Sequence, residues 1–199
     1  MVSDADTNEA VVIDCGAFFP EERQAVCQYI RSERLTLSRV LLTHGHLDHV
    51  FGVDTLYKEF GISPCLHNGD IPLYQHFDQQ AMSILGVSLH QDMPAISCML
   101  EEGQPLSFGR HSIDVIHTPG HSPGSVILYI KDEAVAFTGD TLFRMSIGRT
   151  DLQGGSWQQL EDSLRKIATL LPSHVTLYCG HGPATTMADE LRYNPYLRS

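Results

Sequence analysis

The sequence predicts a layered α/β fold, and two patterns support this prediction. In the first half, short apolar runs alternate with segments of helical periodicity, in the order β-α-β-α-β. In the second half, four strand-like runs follow one another with turn residues between them, which indicates a mostly antiparallel sheet. Because 199 residues can form one sizeable core, we expect a single domain over residues 1–199.

The elements of the first half begin and end at recognisable residues. Pro20 and the two glutamates after it suit the first turn of a helix, where a missing N–H and negative charge are tolerated. Gly61 is expected to end the second helix. The expected order is a strand at 10–14, a helix at 20–33, a strand at 40–42, a helix at 48–60 and a strand at 64–67.

The rest of the chain is expected to contain one helix, then a series of strands, and two further helices. Residues 87–99 have no clear period, so we expect a loop there that forms a wall of a substrate pocket. Ser156 and Gln159 form a capping-box pattern ahead of an apolar helical face. The expected elements are a helix at 77–85, strands at 106–108, 113–117, 125–130 and 134–138, a helix at 156–171, a strand at 175–179 and a short helix at 187–192.

The composition indicates which classes of partner and which cellular compartment to expect. The formal net charge is −11 and the isoelectric point is near 5.3, so we expect no nucleic-acid partner, which would require clustered Lys and Arg. The five cysteines are odd in number and never spaced as CxxC, which favours reduced thiols in a reducing compartment. No secretory leader is visible, and no apolar stretch approaches the roughly 18 residues that span a bilayer. We therefore expect a cytoplasmic protein without a membrane partner.

A cluster of metal-ligand residues follows the second predicted strand. His44 and His46 lie two residues apart, so in an extended segment both imidazoles leave the same face and can meet one cation. Asp48 and His49 open the next helix and point elsewhere. Four ligands in this arrangement predict two metal ions side by side rather than one closed tetrahedral site.

Three further strand ends carry ligand-type residues. His121 lies in a loop whose prolines and glycines predict rigidity, Asp140 follows a strand and a glycine, and His181 lies between two glycines after the last long strand. Together with the first cluster they supply seven nitrogen and oxygen ligands. Imidazole and carboxylate without thiolate favour Zn, Fe or Mn. We expect two divalent ions, with Zn preferred and Fe or Mn as alternatives.

These motifs make the sequence resemble the metallo-β-lactamase superfamily. The matching segments are Thr43–His49, Thr118–Ser125, Phe137–Phe143 and Gly180–Thr185, in the family's order. The resemblance implies an αβ/βα sandwich of four layers, with two mixed sheets between helices. It also implies that His44, His46 and His121 hold metal 1, that Asp48, His49 and His181 hold metal 2, and that Asp140 bridges the two.

Within that superfamily the chain is most similar to the short bacterial members of the glyoxalase II group. Residues 142–156 match that group closely, and Asp140 and His46 separate the chain from relatives with other residues there. The resemblance implies a hydroxyacylglutathione hydrolase that cleaves a thioester such as S-lactoylglutathione through a hydroxide bridging the metals, oriented by Asp48. It also places Arg149 as a substrate-binding residue for a glutathione carboxylate, and a salt bridge with Asp151 is the alternative interpretation.

Several alternatives stay open at this point. A mononuclear iron persulfide dioxygenase of the same superfamily would use only His44, His121 and Asp140 as iron ligands. A metal-stabilised binding module is the non-enzymatic alternative. Family members usually have an additional strand paired with the strand around Val11, so we expect that first strand to be missing and the sheet edge to be open or shared in a dimer. The chain is accordingly expected to be a monomer or a homodimer.

Overall fold

Residues 1–197 are described by the computed structural model, and they form two compact units. The first unit contains Met1–Met99 and Ser107–His111, and the second contains Leu100–Leu106 and the residues from Ser112 onward. Each unit has a separate cluster of buried apolar side chains. The single-domain organisation expected from the sequence stays a prediction.

The first unit is a five-stranded mixed sheet with helices. Its strand order is β1-β2-β3-β4-β5, where β1 is antiparallel to β2 and the other neighbours are parallel. The parallel pairs follow from the alternation of strands and helices along the chain. The elements are β1 Val2–Ser3, β2 Glu9–Ile13, α1 Pro20–Ser32, β3 Thr36–Leu41, α2 Leu47–Val50, α3 Val53–Phe60, β4 Pro64–Leu66, α4 Ile71–Gln75, α5 Phe77–Leu85 and β5 Cys98–Met99.

The predicted second helix is divided into α2 and α3. Gly52 lies at the break, and a Cβ atom on it would overlap the sulfur of Cys15. Gly52 also donates its N–H to the Cys15 carbonyl, at 2.8 Å. The chain therefore turns at this point to follow the end of β2, which the apolar periodicity of residues 48–60 does not reveal. The helix ends at Gly61 in the left-handed conformation, as expected.

A short strand occupies the sheet edge that was expected to be open. In β1, Val2 pairs with Val11 and Ser3 pairs with Ala10. The expectation that the first strand is missing is therefore wrong. A strand of two residues pairs with the outer edge of β2. The polar residues that follow form a turn in which Asp4 accepts hydrogen bonds from the N–H groups of Asp6 and Thr7.

The cysteines are not all reduced, which corrects a second expectation. Cys65 and Cys98 lie opposite each other on β4 and β5 and form a disulfide bond. The spacing of these residues, 33 positions apart, carries no local signal of the bond. Cys15, Cys27 and Cys179 are free thiols. Burial raises the pKa of Cys15 to about 11 and also raises the pKa values of Cys27 and Cys179, so these thiols stay protonated at neutral pH.

The second sheet has six strands and mixed pairing. Its order is β13-β12-β9-β8-β7-β6, in which β12 and β9 are parallel and the pairs β12/β13, β8/β9 and β7/β8 are antiparallel. This agrees with the mostly antiparallel pairing predicted for the second half. Strands β10 and β11 form a separate antiparallel pair. The elements of this half of the chain are β6 Leu106–Phe108, β7 His111–His117, β8 Val126–Ile130, β9 Val135–Gly139, β10 Leu142–Phe143, β11 Ser146–Ile147, α6 Trp157–Leu170, β12 Thr176–Cys179, β13 Thr185–Thr186 and α7 Met187–Tyr193.

Helix α6 begins at the predicted cap. The Ser156 hydroxyl accepts the N–H of Gln159, and the helix then buries Leu160, Leu164 and Ile167 in the core of the second unit. α6 has 14 residues. No helix among residues 1–197 has both the length and the apolar character needed to cross a membrane.

We expect removal of the Cys65–Cys98 disulfide to lower the free energy of unfolding by about 2 to 4 kcal/mol, because the bond restricts the unfolded chain. Urea unfolding of the wild type with and without reductant, and of the double variant Cys65→Ser/Cys98→Ser, measures this difference. Cys27→Ser, at a buried free cysteine, is the matched control and should respond to reductant as the wild type does. An unfolding curve of the wild type that reductant leaves unchanged would contradict the bond.

Candidate metal centre

Three buried histidines lie in the segment that joins β3 to α2 and in α2 itself. β3 ends at Leu41, α2 begins at Leu47, and the side chains of His44, His46 and His49 are almost fully buried. β3 is central in its sheet, which explains why the residues at its end are enclosed. Burying a polar ring is unfavourable unless its nitrogens have partners, so we expect the nitrogens of each ring to contact a polar group or a metal ion.

Asp14 and Thr43 orient two of the three imidazole rings. The Asp14 carboxylate accepts hydrogen bonds from the Thr43 N–H at 2.7 Å and the Thr43 hydroxyl at 2.6 Å, and its Oδ2 lies 2.9 Å from His49 Nδ1. The Thr43 hydroxyl also lies 3.1 Å from His44 Nδ1. A hydrogen-bonded Nδ1 fixes the orientation of the ring and presents Nε2 as the ligand atom. The Nε2 atoms of His44 and His49 are buried and receive no hydrogen bond from the described residues.

The four ligands predicted in this segment lie together. The ring centroid of His44 is 4.9 Å from that of His46 and 4.0 Å from that of His49. Asp48 is the exposed member of the set, with 44% of its side chain accessible, and its Oδ2 lies 3.7 Å from His49 Nε2. Ligand atoms of Asp14, His44 and His49 all fall within 4.8 Å of one another, a spacing that could hold a metal ion.

In the second unit, one carboxylate lies between two imidazoles. Oδ2 of Asp140 is 3.6 Å from His121 Nε2 and 3.6 Å from His181 Nε2. Asp140 follows β9 and His181 follows β12, and these two strands are parallel neighbours, so their ends meet at one edge of the sheet. His121 and Asp140 are buried, whereas 56% of the His181 side chain is accessible. The three ligands predicted in this unit are therefore neighbours.

The segment after Asp140 orients His121. The Arg149 carbonyl oxygen lies 2.8 Å from His121 Nδ1, so the opposite nitrogen, Nε2, faces Asp140. Gly148 allows this approach, because a Cβ atom there would overlap the Asp140 carbonyl oxygen and lie 3.2 Å from His121 Nδ1. A glycine is required here by close packing of the backbone rather than by a positive φ.

The loop that carries His121 is held by hydrogen bonds and by close packing, and its predicted rigidity stays a prediction. The hydroxyls of Ser122 and Ser125 lie 2.7 Å apart, and Ser125 Oγ accepts the Ser122 N–H at 3.1 Å. Gly120 has φ +140°, and a Cβ atom on it would overlap the backbone nitrogen of Leu160 at the start of α6. The loop is therefore held against a helix, which limits the movement of His121.

Arg149 forms the salt bridge that was the alternative interpretation of this residue. Its Nε and one terminal nitrogen donate to the two carboxylate oxygens of Asp151 at 2.6 and 2.7 Å. These hydrogen bonds and the attraction between the charges lower the pKa of Asp151 to about 2 and raise the pKa of Arg149. Both side chains are exposed, and a substrate role of Arg149 stays a prediction.

Asp14 and Thr43 contact two predicted ligands, His49 and His44, and neither contact was predicted from the sequence. Asp14 was assigned only to the end of a strand. Like Asp140 it is an acidic residue at the end of an apolar strand, although its glycine, Gly16, follows the carboxylate and Gly139 precedes the other. Asp14 also adopts φ +50°, which is uncommon outside glycine and directs its carboxylate towards the histidine segment. The local pattern could have identified Asp14, although its contact with His49, 35 residues away, could not have been predicted.

The donor set suits a divalent metal. It consists of imidazole nitrogens and carboxylate oxygens, with no thiolate among the described residues that form it, and such ligands fit Zn, Fe or Mn. Hydrogen bonds in which Nδ1 of His44, His49 and His121 donates to a neighbouring oxygen are the arrangement typical of metal-binding histidines. The residues present therefore fit the group that the sequence predicts.

Comparisons with known proteins agree with this chemistry. The hydroxyacylglutathione hydrolase GloC of Haemophilus influenzae is 34% identical, over 98% of this chain and 90% of the relative. The crystal structure of the BLEG-1 B3 metallo-beta-lactamase superposes with a TM-score of 0.87 and 36% identity, over 100% of this chain and 92% of that one. The structure of TTHA1623 in a di-iron-bound form gives a TM-score of 0.82 and 39% identity, over 93% and 88% of the two chains.

These likenesses confirm the predicted fold class, an αβ/βα sandwich of two mixed sheets and helices. The family model described as the metallo-beta-lactamase superfamily matches residues 2–181, which include all seven predicted metal ligands. The chain belongs to the metallo-beta-lactamase superfamily.

Proposed function

We propose that the protein is a binuclear metallohydrolase that cleaves thioesters such as S-lactoylglutathione. The observation that supports two ions is the position of Asp140, whose Oδ2 lies 3.6 Å from each of two imidazole nitrogens. A carboxylate flanked on both sides by metal ligands can serve two ions at once. The thioester is proposed because a relative with 34% identity is named a hydroxyacylglutathione hydrolase.

The proposed ligand sets are those that the family resemblance implies. His44, His46 and His121 hold metal 1, Asp48, His49 and His181 hold metal 2, and Asp140 bridges them. Zinc is the proposed metal, and Fe or Mn are alternatives because one similar structure is described as di-iron-bound. When bound, such ions polarise a carbonyl oxygen and lower the pKa of a water towards about 7.

The protein's own groups orient the proposed metal ligands and leave two of these ligands exposed to solvent. Asp14 and the Arg149 carbonyl hold His49 and His121 in fixed directions, so the ligands need little reorganisation. Asp48, the exposed carboxylate of its set, accepts a hydrogen bond from the attacking water and orients it towards the thioester carbon. His181, which belongs to the same proposed set as Asp48, is also exposed.

Arg149 is proposed to bind a carboxylate of a glutathione-linked substrate. Its guanidinium is exposed and paired with Asp151, and its backbone carbonyl contacts His121, so the side chain starts beside a metal ligand. A planar guanidinium matches a carboxylate with two parallel hydrogen bonds. The Asp151 pair competes with the substrate, which predicts a moderate rather than a dominant contribution to affinity.

The proposed partner is a small-molecule thioester, and the protein is proposed to act as a cytoplasmic monomer or homodimer. The three free thiols support a reducing compartment, and the Cys65–Cys98 disulfide is the observation against it. Alkylation of thiols in intact cells before lysis shows whether Cys65 is reduced or disulfide-bonded where the protein resides. A reduced Cys65 in the cell supports the cytoplasmic location, and an oxidised one opposes it.

Protein purified without added metal is expected to contain two metal ions per chain and to hydrolyse S-lactoylglutathione. Chelation should abolish hydrolysis, because the polarising ions are lost, and re-addition of Zn, Fe or Mn should restore it. Elemental analysis and a thioester assay on the same sample make the measurement. One iron per chain, no hydrolysis and oxygen uptake with glutathione persulfide would replace this function with the dioxygenase alternative.

Asp14→Ala is expected to weaken metal binding by about 10- to 100-fold, because the orientation of His49 and the Thr43 backbone is lost. Competition with a chromophoric chelator measures the metal affinity. Asp162→Ala, at an exposed carboxylate paired with Arg165 on α6, is the control and should bind metal as the wild type does. Unchanged affinity in folded Asp14→Ala protein would contradict the orienting role of Asp14.

Arg149→Ala is expected to raise KM for S-lactoylglutathione by roughly tenfold with little change in kcat, because a charge-assisted hydrogen bond in the bound state is lost. Arg165→Ala removes a similar exposed arginine from an ion pair on α6 and should leave KM unchanged. A thioester of a small thiol without a carboxylate should be hydrolysed equally by Arg149→Ala and wild type. An equal loss on both substrates would exclude carboxylate binding by Arg149.

A further inference from the structure

Gly45, which separates His44 from His46, is held at both its backbone N–H and its backbone carbonyl. Asp70 Oδ2 accepts the Gly45 N–H at 2.8 Å, and Gln80 Nε2 donates to the Gly45 carbonyl at 3.0 Å. The same Gln80 nitrogen donates to the Leu73 carbonyl at 2.7 Å. Two side chains distant in sequence therefore fix one residue of backbone between two predicted metal ligands.

The backbone around α4 also packs directly on Gly45. A Cβ atom on Gly45 would lie 2.9 Å from the Asp70 carbonyl oxygen, 3.1 Å from Leu73 Cβ and 3.2 Å from the Tyr74 nitrogen. Only glycine allows the start of α4 to approach this closely, and the approach brings the Asp70 carboxylate within reach. Packing and hydrogen bonding thus act on the same residue.

The two side chains that hold Gly45 are themselves fixed. Asp70 is completely buried, and a buried carboxylate is retained only where hydrogen bonds compensate its desolvation. Gln80 lies on α5, whose neighbours Phe77 and Ala81 are buried in the core of the first unit. The Gln80 amide therefore acts from a rigid support rather than from a mobile loop.

We propose that Asp70 and Gln80 are positioning residues for metal binding, which act by locking the Gly45 backbone and with it the directions of His44 and His46. This proposal rests on the metal centre in the proposed function. No ligand role is predicted for the segment that contains these two residues, yet both side chains form hydrogen bonds to the segment that carries His44 and His46. Metal binding loses less conformational freedom when its ligands are already in place.

The test compares Gln80→Leu with Gln79→Leu in the full chain. Both variants place leucine on α5, but Gln80 carries the two hydrogen bonds to the ligand segment and to α4. Gln80→Leu is expected to weaken Zn²⁺ or Co²⁺ affinity by about tenfold and to change the visible absorption of the Co²⁺ form, while Gln79→Leu matches the wild type. Gln80→Asn, which keeps an amide that is one methylene too short, should show the same loss with smaller disturbance of packing.

Thermal unfolding of the metal-free variants separates positioning from general stability. A purely structural role lowers the melting temperature without changing the metal affinity or the Co²⁺ spectrum of the folded protein, and that result overturns the proposal. Equal loss of affinity in Gln79→Leu and Gln80→Leu overturns it as well. Because no thioester is present in this assay, a wild type that binds metal but hydrolyses no thioester would overturn the proposed reaction and leave the positioning role intact.

Discussion

The structure depends on keeping the imidazole rings of the predicted metal ligands buried and oriented. His44, His49 and His121 each receive a contact at Nδ1, from Thr43, Asp14 and the Arg149 carbonyl, respectively. Without these contacts, burial of three imidazoles would be unfavourable, and their Nε2 atoms would have no defined direction. The partners differ chemically, being a hydroxyl, a carboxylate and a backbone carbonyl, but they perform the same task. The ligand geometry is thus carried by groups outside the predicted ligand sets.

Close packing of backbone segments is the second feature that positions the predicted ligands, and it occurs in both units. Gly45 accommodates the start of α4, and Gly148 accommodates the Asp140 carbonyl beside His121. In each case a side chain would separate the ligand segment from the group that orients it. Glycines next to the predicted metal ligands therefore allow the orienting groups to come close, whereas the polar residues act through hydrogen bonds.

Much of the secondary structure could be predicted from local patterns, and the failures have physical causes. The helix that ends at Gly86 and the helix capped by Ser156 follow the expected periodicity and capping. The break at Gly52 was missed because it depends on contact with Cys15, far away in the sequence. The strand β1 was missed because its two residues have no pattern of their own and exist only through pairing with β2. The helix break at Gly52 and the strand β1 both depend on contacts with other segments of the chain.

The sequence by itself determined which residues have metal-binding chemistry and that they follow strands, because ligand type, spacing and apolar runs are local properties. Only the tertiary structure decided which groups orient those ligands, since Asp14, Asp70, Gln80 and Arg149 act on residues 25 to 35 positions away. The disulfide between Cys65 and Cys98 was likewise decided by the pairing of β4 with β5. Contacts over such separations arise from packing, which no short stretch of sequence encodes.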